Sequence, residues 1–285
     1  MKNSPLVTIY IPTKNRCKSL RVAIDSCLKQ TYSNIEIIVC DDASTDDTQK
    51  LLQEYSLKFD NFKFFRNEVS KGACFSRNRC IFAASGIFVT GLDDDDYFKE
   101  DRIEKFVAQW DDKYSFLCAN FSNQYSDSRS LIQYPVRNKI LDLENLMFYN
   151  SASNQIFTYK TRLLEAGLFD VKRKKLQDWD LWQRVCSRYG NFFRDGDVSY
   201  VMNHDNSIER VSNNQSFLQA YRNLYLINKK LFNQKQRKNI LLNYLFFVKR
   251  KKDVLSCLDF IFRKKWGIFL TVQFFYKKIC EKINP

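Results

Sequence analysis

The sequence is poor in the residues that punctuate or staple small folds. Among 285 residues there are 7 glycines, 4 prolines and a single histidine. So little glycine and proline excludes collagen-like and low-complexity chains, and 45% hydrophobic with 27% charged residues is a globular balance. No G-x-G-x-x-G occurs, which disfavours a dinucleotide-dependent oxidoreductase. No glycine-rich loop follows the first apolar run, which disfavours a nucleotidyltransferase. No C-x-x-C pair occurs, and the 9 cysteines are odd in number and scattered. A disulfide framework and a zinc site are therefore disfavoured, and a reducing cytoplasm fits the thiols. No run reaches the roughly 18–20 apolar residues that span a bilayer. The opening MKNSPLVTIYIPTKNR does not read as a signal peptide, because Pro12 breaks its short apolar stretch.

What the chain does have is basic charge, and it is unevenly placed. The net charge is +14, from 46 basic and 32 acidic residues. Residues 211–285 hold 16 of the basic and 3 of the acidic residues, which leaves 30 and 29 for residues 1–210. A boundary near 210 is expected, with a near-neutral domain before it and a basic, helical segment after it. In the segments KKLFNQKQRK, FFVKRKK, FRKKWGIF and FFYKKICEK, lysine and arginine interleave with Phe, Trp, Leu and Ile. That composition suits helices lying in a membrane interface. A plain basic cap and a nucleic-acid-binding tail are the alternatives, and no nucleic-acid motif accompanies the charge.

The first half alternates two periodicities. LVTIYI, NIEIIVC, FKFF and IFVTGL read as strands. Between them, CKSLRVAIDSCLKQ has helical spacing, with Leu20, Ile24, Cys27 and Leu28 on one side. A second helix is expected from Ser44, where STDD offers a capping box with Asp47. A third, ACFSRNRCIFAAS, is expected to close at Gly86. Strand–helix repetition with short links implies an α/β fold, a mainly parallel sheet flanked by helices. Ligands bind such sheets at the carboxyl ends of the strands. From Phe116 to about Asn206 the pattern is irregular, with short strands, loops and a helix around DWDLWQRVCSRYG.

Two acidic clusters fall at strand ends. Asp93, Asp94, Asp95 and Asp96 follow VTGL directly. Adjacent carboxylates repel one another, and a hard divalent cation such as Mn²⁺ or Mg²⁺ offsets the repulsion. If the strand runs on, alternation places Asp93 and Asp95 on one side. Asp41 and Asp42 follow IVC, where an acid can bond a nucleoside or simply favour a helix N-terminus. Arg77 and Arg79 precede the acidic strand and suit phosphate, or are surface arginines of a helix. In LQDWDLWQRV, Asp178 stands beside Trp179 and near Trp182, with Asp180 as a rival. A carboxylate among aromatics can serve as a general base, and aromatic faces suit the C–H surfaces of sugars. His204 can ligate metal or bond a diphosphate, or it is an ordinary surface histidine.

In order along the chain, IPTKNR, SCLKQTYSNIEIIVCDDASTDDT, GLDDDDYFKEDRI, EAGLFD, QDWDLWQRV and NHDNSIERVS resemble the family-2 glycosyltransferases of the GT-A fold over roughly residues 5–212. The resemblance implies that Pro12, Thr13 and Asn15 edge a nucleotide pocket. Asp42 would bond uracil with Asp41 in support, and Arg77 would approach the donor. Asp93 and Asp95 would form the D-x-D pair, with Asp94 beside the donor and Asp96 joining the metal. Asp178 would be the catalytic base, Trp179 and Trp182 would face the acceptor, and His204 would lie near the diphosphate. The chain departs from the pattern at Gln177, usually glutamate, at Asp94, usually small, and at Glu100, usually proline. The resemblance thus implies an inverting transferase that uses Mn²⁺ or Mg²⁺ and a UDP-sugar. Its expected acceptor is a lipid-diphosphate-linked saccharide at the inner face of a bacterial cytoplasmic membrane, in O-antigen assembly. UDP-glucose comes before UDP-galactose as donor, with a β1,3 link to GlcNAc-diphosphate-undecaprenol. The rival classes are a sugar-phosphate nucleotidyltransferase and a non-catalytic membrane-surface protein.

Overall fold

The structure is a computed structural model that describes residues 4–125, 130–133, 137–204, 217–234 and 236–237. The chain divides into two units, Met1–Arg210 and Val211–Pro285. In the first, Val7–Thr13 (β1), Cys17–Leu28 (α1), Ile35–Asp41 (β2), Thr48–Lys58 (α2), Phe62–Arg66 (β3), Ala73–Ala83 (α3) and Phe88–Gly91 (β4) follow in turn. Next come Tyr97–Phe98 (β5), Arg102–Gln109 (α4), Leu117–Tyr125 (β6), Ser130–Gln133 (β7), Lys139–Leu141 (β8) and Leu143–Phe148 (α5). Phe157–Tyr159 (β9), Lys160–Glu165 (α6), Gln177–Tyr189 (α7) and Phe192–His204 (β10) complete it.

These strands form one sheet in the order β3-β2-β1-β4-β9-β6-β10-β5, with β7 on β6 and β8 on β10. The half built from β3, β2, β1 and β4 is wholly parallel, as the strand–helix alternation requires. The other half is mixed: β9 runs antiparallel to β4 and β6, while β10 runs parallel to β6. β1 and β2 are buried on both faces, and side-chain alternation divides the core between them. Ile9, Ile11, Ile37 and Val39 pack with Leu20 and Ile24 of α1, Leu51 of α2 and Phe106 of α4. Tyr10, Ile38 and Cys40 pack on the other face with Ile81 of α3 and Leu181, Trp182 and Val185 of α7. The result is a sheet between two helical layers. The strand order turns back at β1 and β4, a switch point of the kind that opens a crevice at the carboxyl ends.

Three local expectations change. Helix α2 starts at Thr48 rather than Ser44, and Asp47 makes no capping bond. Ser44 is used elsewhere: its N–H donates to Asp41 at 2.9 Å and its hydroxyl accepts from the Asn15 N–H at 2.8 Å. Gly86 is not a helix cap, because α3 already ends at Ala83. It is small because it lies against β1, where a Cβ would come within 2.6 Å of the Thr8 nitrogen. The third concerns Asp93–Asp96, which form a turn in which the Asp96 N–H donates to the Asp93 carbonyl at 3.1 Å. Strand alternation therefore does not set their directions.

In the second unit the described part is a helix, Phe217–Asn228 (α8), followed by a short 3-10 turn, Lys229–Leu231. Tyr221 and Leu224 are buried at a spacing of three, which is one helical face. Among the described residues no helix is long and apolar enough to cross a membrane. The segments FFVKRKK, FRKKWGIF and FFYKKICEK lie outside the described residues.

Candidate active site

The carboxyl ends of β1, β2 and β4 bring the two acidic clusters into one crevice. Past β1, Asn15 takes a left-handed conformation (φ 54°), and its side-chain oxygen accepts from the Thr45 N–H at 2.7 Å. This ties the loop after β2 to the loop after β1. Pro12 and Thr13 end β1 in register with Cys40 and Asp41. The Thr13 hydroxyl donates to Asp94 at 2.7 Å.

The acidic turn faces two ways. Asp94 and Asp95 share the Arg16 guanidinium, each at 2.8 Å. Asp93 and Asp96 turn instead to the Asn154 amide, at 2.8 and 3.4 Å. Asp93 also pairs with Arg77 at 2.9 Å and accepts from Gln155 at 3.0 Å. Asp96 accepts from the Tyr200 hydroxyl at 2.7 Å and the Asn203 N–H at 3.0 Å. Burial pushes Asp94 up to about 6, against Arg16 and with help from the Asp95 charge. Asp96 is raised further, first by burial and then by the charges of Asp93 and Asp95.

Asp41 and Asp42 are held differently. Asp41 is fully buried, with Arg66 at 3.5 Å. Asp42 accepts four hydrogen bonds, from the Asn67 amide, the Ser70 hydroxyl and the N–H groups of Lys71 and Gly72, all within 2.8 Å. Burial acts against its charge, but these donors hold the carboxyl below its ordinary range. Asp42 thereby fixes the loop entering α3, the helix that carries Arg77. Arg79 is structural: it donates to the Arg66 carbonyl at 2.7 Å and to Asn67 at 2.9 Å.

Asp178 lies in the first turn of α7, half-buried, and accepts from the Asn150 amide at 2.7 Å. Loss of solvent raises its carboxyl to about 6, with Arg77 opposing the rise and the Asp93 charge adding to it. Those electrostatic partners bring Asp178 to the same crevice as the acidic turn. The rival, Asp180, is a buried structural acid between Arg173 at 3.0 Å and Arg184 at 2.8 Å. The tryptophans require a correction. Trp179 and Trp182 are 3% and 0% exposed, and their indole N–H groups donate to the Leu146 and Ser153 carbonyls. They are core residues that seat α7 and present no face to a sugar. His204 ends β10, stacked on Tyr125 at 4.9 Å, with its Nε2 2.5 Å from the Asn123 side-chain oxygen. Its chain neighbour Asn203 is one of the residues that hold Asp96.

Sequence reading missed Arg16, Asn150, Asn154, Gln155 and Tyr200. Only Arg16 carried a signal, as a cation in the loop after the first strand. Gly91 explains how Gln155 approaches: a Cβ there would lie 1.9 Å from the Gln155 side-chain oxygen and 2.6 Å from the Tyr10 ring. Among the described residues no group of three or more His, Cys, Asp or Glu side chains is arranged to hold a metal ion alone. The donor set nevertheless fits a divalent cation. Four clustered carboxylates face two arginines, and burial, with repulsion inside the turn behind it, raises two of the acids above the ordinary carboxylate range. Mg²⁺-type sites commonly need only one or two carboxylates when phosphates complete the shell.

The comparisons agree with this geometry. WcaA of Escherichia coli K12, a glycosyl transferase named for colanic acid biosynthesis, is 33% identical over 248 residues, 84% of this chain and 86% of its own length. WfaP of Escherichia coli, named as a UDP-Glc:α-D-GlcNAc-diphosphoundecaprenol β-1,3-glucosyltransferase, is 34% identical over 185 residues, 64% of this chain and 71% of its own. Residues 1–349 of TarS from S. aureus, solved with UDP-GlcNAc, superpose with a TM-score of 0.70 at 20% identity, covering 84% of this chain and 71% of that one. This likeness shows the GT-A fold. Residues 8–179 match the profile of glycosyl transferase family 2, and the chain is a glycosyltransferase belonging to that family.

Proposed function

We propose that the chain is an inverting hexosyltransferase acting on a UDP-sugar, UDP-glucose before UDP-galactose. The acceptor in this reading is GlcNAc-diphosphate-undecaprenol, joined through a β1,3 link in bacterial O-antigen assembly. The observation that carries the reading is Asp178, half-buried with a pKa of about 6, within electrostatic reach of Arg77 and Asp93. The activity for which WfaP is named supports the choice of donor and acceptor.

In this reading Pro12, Thr13, Asn15, Asp41 and Asp42 shape the nucleoside pocket, Asp42 through the loop it holds. Arg77 meets the donor phosphates, Asp94 lines the same pocket, and His204 meets the diphosphate from the end of β10. Asp95 and Asp93, with Asp96 beside them, would hold Mn²⁺ or Mg²⁺. When bound, that cation neutralises the charge gathering on the departing diphosphate. The acceptor hydroxyl attacks the anomeric carbon in line. The bond from that carbon to the UDP oxygen breaks as the new glycosidic bond forms. The hydroxyl proton passes to Asp178, and a pKa near 6 leaves the base ionised at neutral pH yet still basic. An α-linked donor then gives a β-linked product. The basic segment 211–285 holds the enzyme at the inner face of the cytoplasmic membrane, where each Lys or Arg near anionic lipid contributes about 1 kcal/mol.

The test is a screen of UDP-sugars with Mn²⁺ against a synthetic GlcNAc-diphosphate-lipid. Release of UDP with a β1,3-linked glucose product is expected. Release of sugar 1-phosphate in place of UDP would indicate nucleotidyl transfer and overturn the reading, as would an absence of transfer from every UDP-sugar.

A further inference from the structure

The Asn150 side chain is held in an unusual way. Both hydrogens of its amide are committed, one to Asp178 Oδ2 at 2.7 Å and one to the Ser153 carbonyl at 2.8 Å. Its carbonyl oxygen is buried, and among the described residues nothing donates to it. An orphaned buried acceptor is normally avoided, so its presence needs a reason. Flipping the amide would set its oxygen against a carboxylate and a carbonyl, so only the observed orientation satisfies Asp178. The same loop reaches the other half of the site. Asn154 donates to Asp93 and to the Tyr200 hydroxyl, and Gln155 donates to Asp93. The Trp182 indole pins the loop from below through the Ser153 carbonyl. Residues 150–155 thus join the Asp178 carboxylate to the acidic turn through side-chain hydrogen bonds.

We propose that Asn150 is a positioning residue that aims the Asp178 carboxylate at the acceptor, and that its loop fixes the spacing between that carboxylate and Asp93. This rests on Asp178 being the base. Asn150 touches no reacting atom; it acts through Asp178. Its donor also favours the ionised carboxylate, so its removal raises the Asp178 pKa. The charged and titratable groups that face Asp178 are Arg77, Asp93, Tyr10 and Cys74.

The experiment uses the full chain and compares Asn150→Ala with the isosteric Asn150→Asp. Carboxyl ¹³C NMR follows the Asp178 signal, which is identified by its loss in Asp178→Asn. The expected result is an Asp178 titration moved to higher pH in both variants, further in Asn150→Asp. On the donor–acceptor pair that the wild type turns over, kcat falls about tenfold to a hundredfold, the scale of a misplaced catalytic group. The donor KM stays within about twofold, because Asn154 and Gln155 still hold Asp93. An unmoved titration with wild-type kcat would overturn the proposal. So would equal losses in kcat and donor affinity, which mark a general structural role. If Asn150→Ala does not fold, Asn150→Asp decides alone by the same criteria. If Asp178→Asn itself transfers at the wild-type rate, the base assignment has failed; if it is inactive while the Asn150 variants behave as wild type, only the positioning role has failed.

Discussion

Asp178→Asn is expected to stabilise the fold at pH 8 and to do so by about half as much at pH 5. The Asp178 carboxyl has a folded pKa of about 6 against an ordinary 3.8, chiefly from burial. A raised carboxylate contributes no penalty while it is protonated in both states, that is, below about 3.8. As pH rises past that value, the native protein must either ionise a poorly solvated group or keep a proton the unfolded chain has released. Stability is therefore lost between the unfolded and folded pKa values and stays lost above them. At about 1.4 kcal/mol per unit, the penalty well above pH 6 is at most about 3 kcal/mol. Asparagine is isosteric, carries no charge and still accepts from Asn150. For a unit of this size the gain corresponds to a Tm rise of several degrees, at about 2–4 °C per kcal/mol. Urea melts of wild type and variant at pH 5 and pH 8 measure the difference, and groups common to both proteins cancel. A variant equally stable to the wild type at pH 8, or stabilised by the same amount at both pH values, would refute the burial of this carboxylate.

Four other perturbations follow from the same geometry. Asp95→Ala should weaken Mn²⁺-dependent donor binding in calorimetry; unaltered metal dependence would remove the residue from the cation site. Gly91→Ala drives a methyl into Gln155 and Tyr10, so a loss of about 1–3 kcal/mol in denaturant melts is expected, with transfer lost as well. Asp180→Ala leaves buried Arg173 and Arg184 without their acid and should cost about 3–5 kcal/mol, the opposite sign to Asp178→Asn at pH 8. Truncation after residue 215 should move the enzyme from anionic vesicles to the supernatant in a sedimentation assay, and unchanged sedimentation would defeat the membrane role of the basic segment.

The parallel half of the sheet was legible because each strand there is a continuous apolar run bounded by helical spacing. The placing of Asp41–Asp42 and Asp93–Asp96 at the carboxyl ends of parallel strands followed from the strand–helix alternation; the strand order and its switch point came from the structure. The failures were local. STDD has the spacing of a capping box, yet Ser44 serves the crevice loops instead. Gly86 has the look of a helix stop, yet it is small because β1 passes against it. The four aspartates continue an apolar strand in sequence, but a turn splits them into two pairs. The tryptophans beside Asp178 read as a sugar platform because aromatic residues look alike in core and in site until burial is known. Asn150, Asn154, Gln155 and Tyr200 were invisible for a different reason. Amides and hydroxyls have no periodic signature, and these four meet Asp93, Asp96 and Asp178 only because β9 and β10 insert into the sheet beside β4 and β6. Contacts between residues 28 to 107 positions apart belong to the tertiary level and leave no trace in local spacing.

The most direct test of a single site spanning the acidic turn and α7 pairs calorimetry with single-turnover transfer in Asp178→Asn. Donor binding with Mn²⁺ at the wild-type Kd and no glycosidic product is the predicted result. Wild-type transfer by that variant, or loss of donor binding along with turnover, would contradict the assignment of Asp178 as the base.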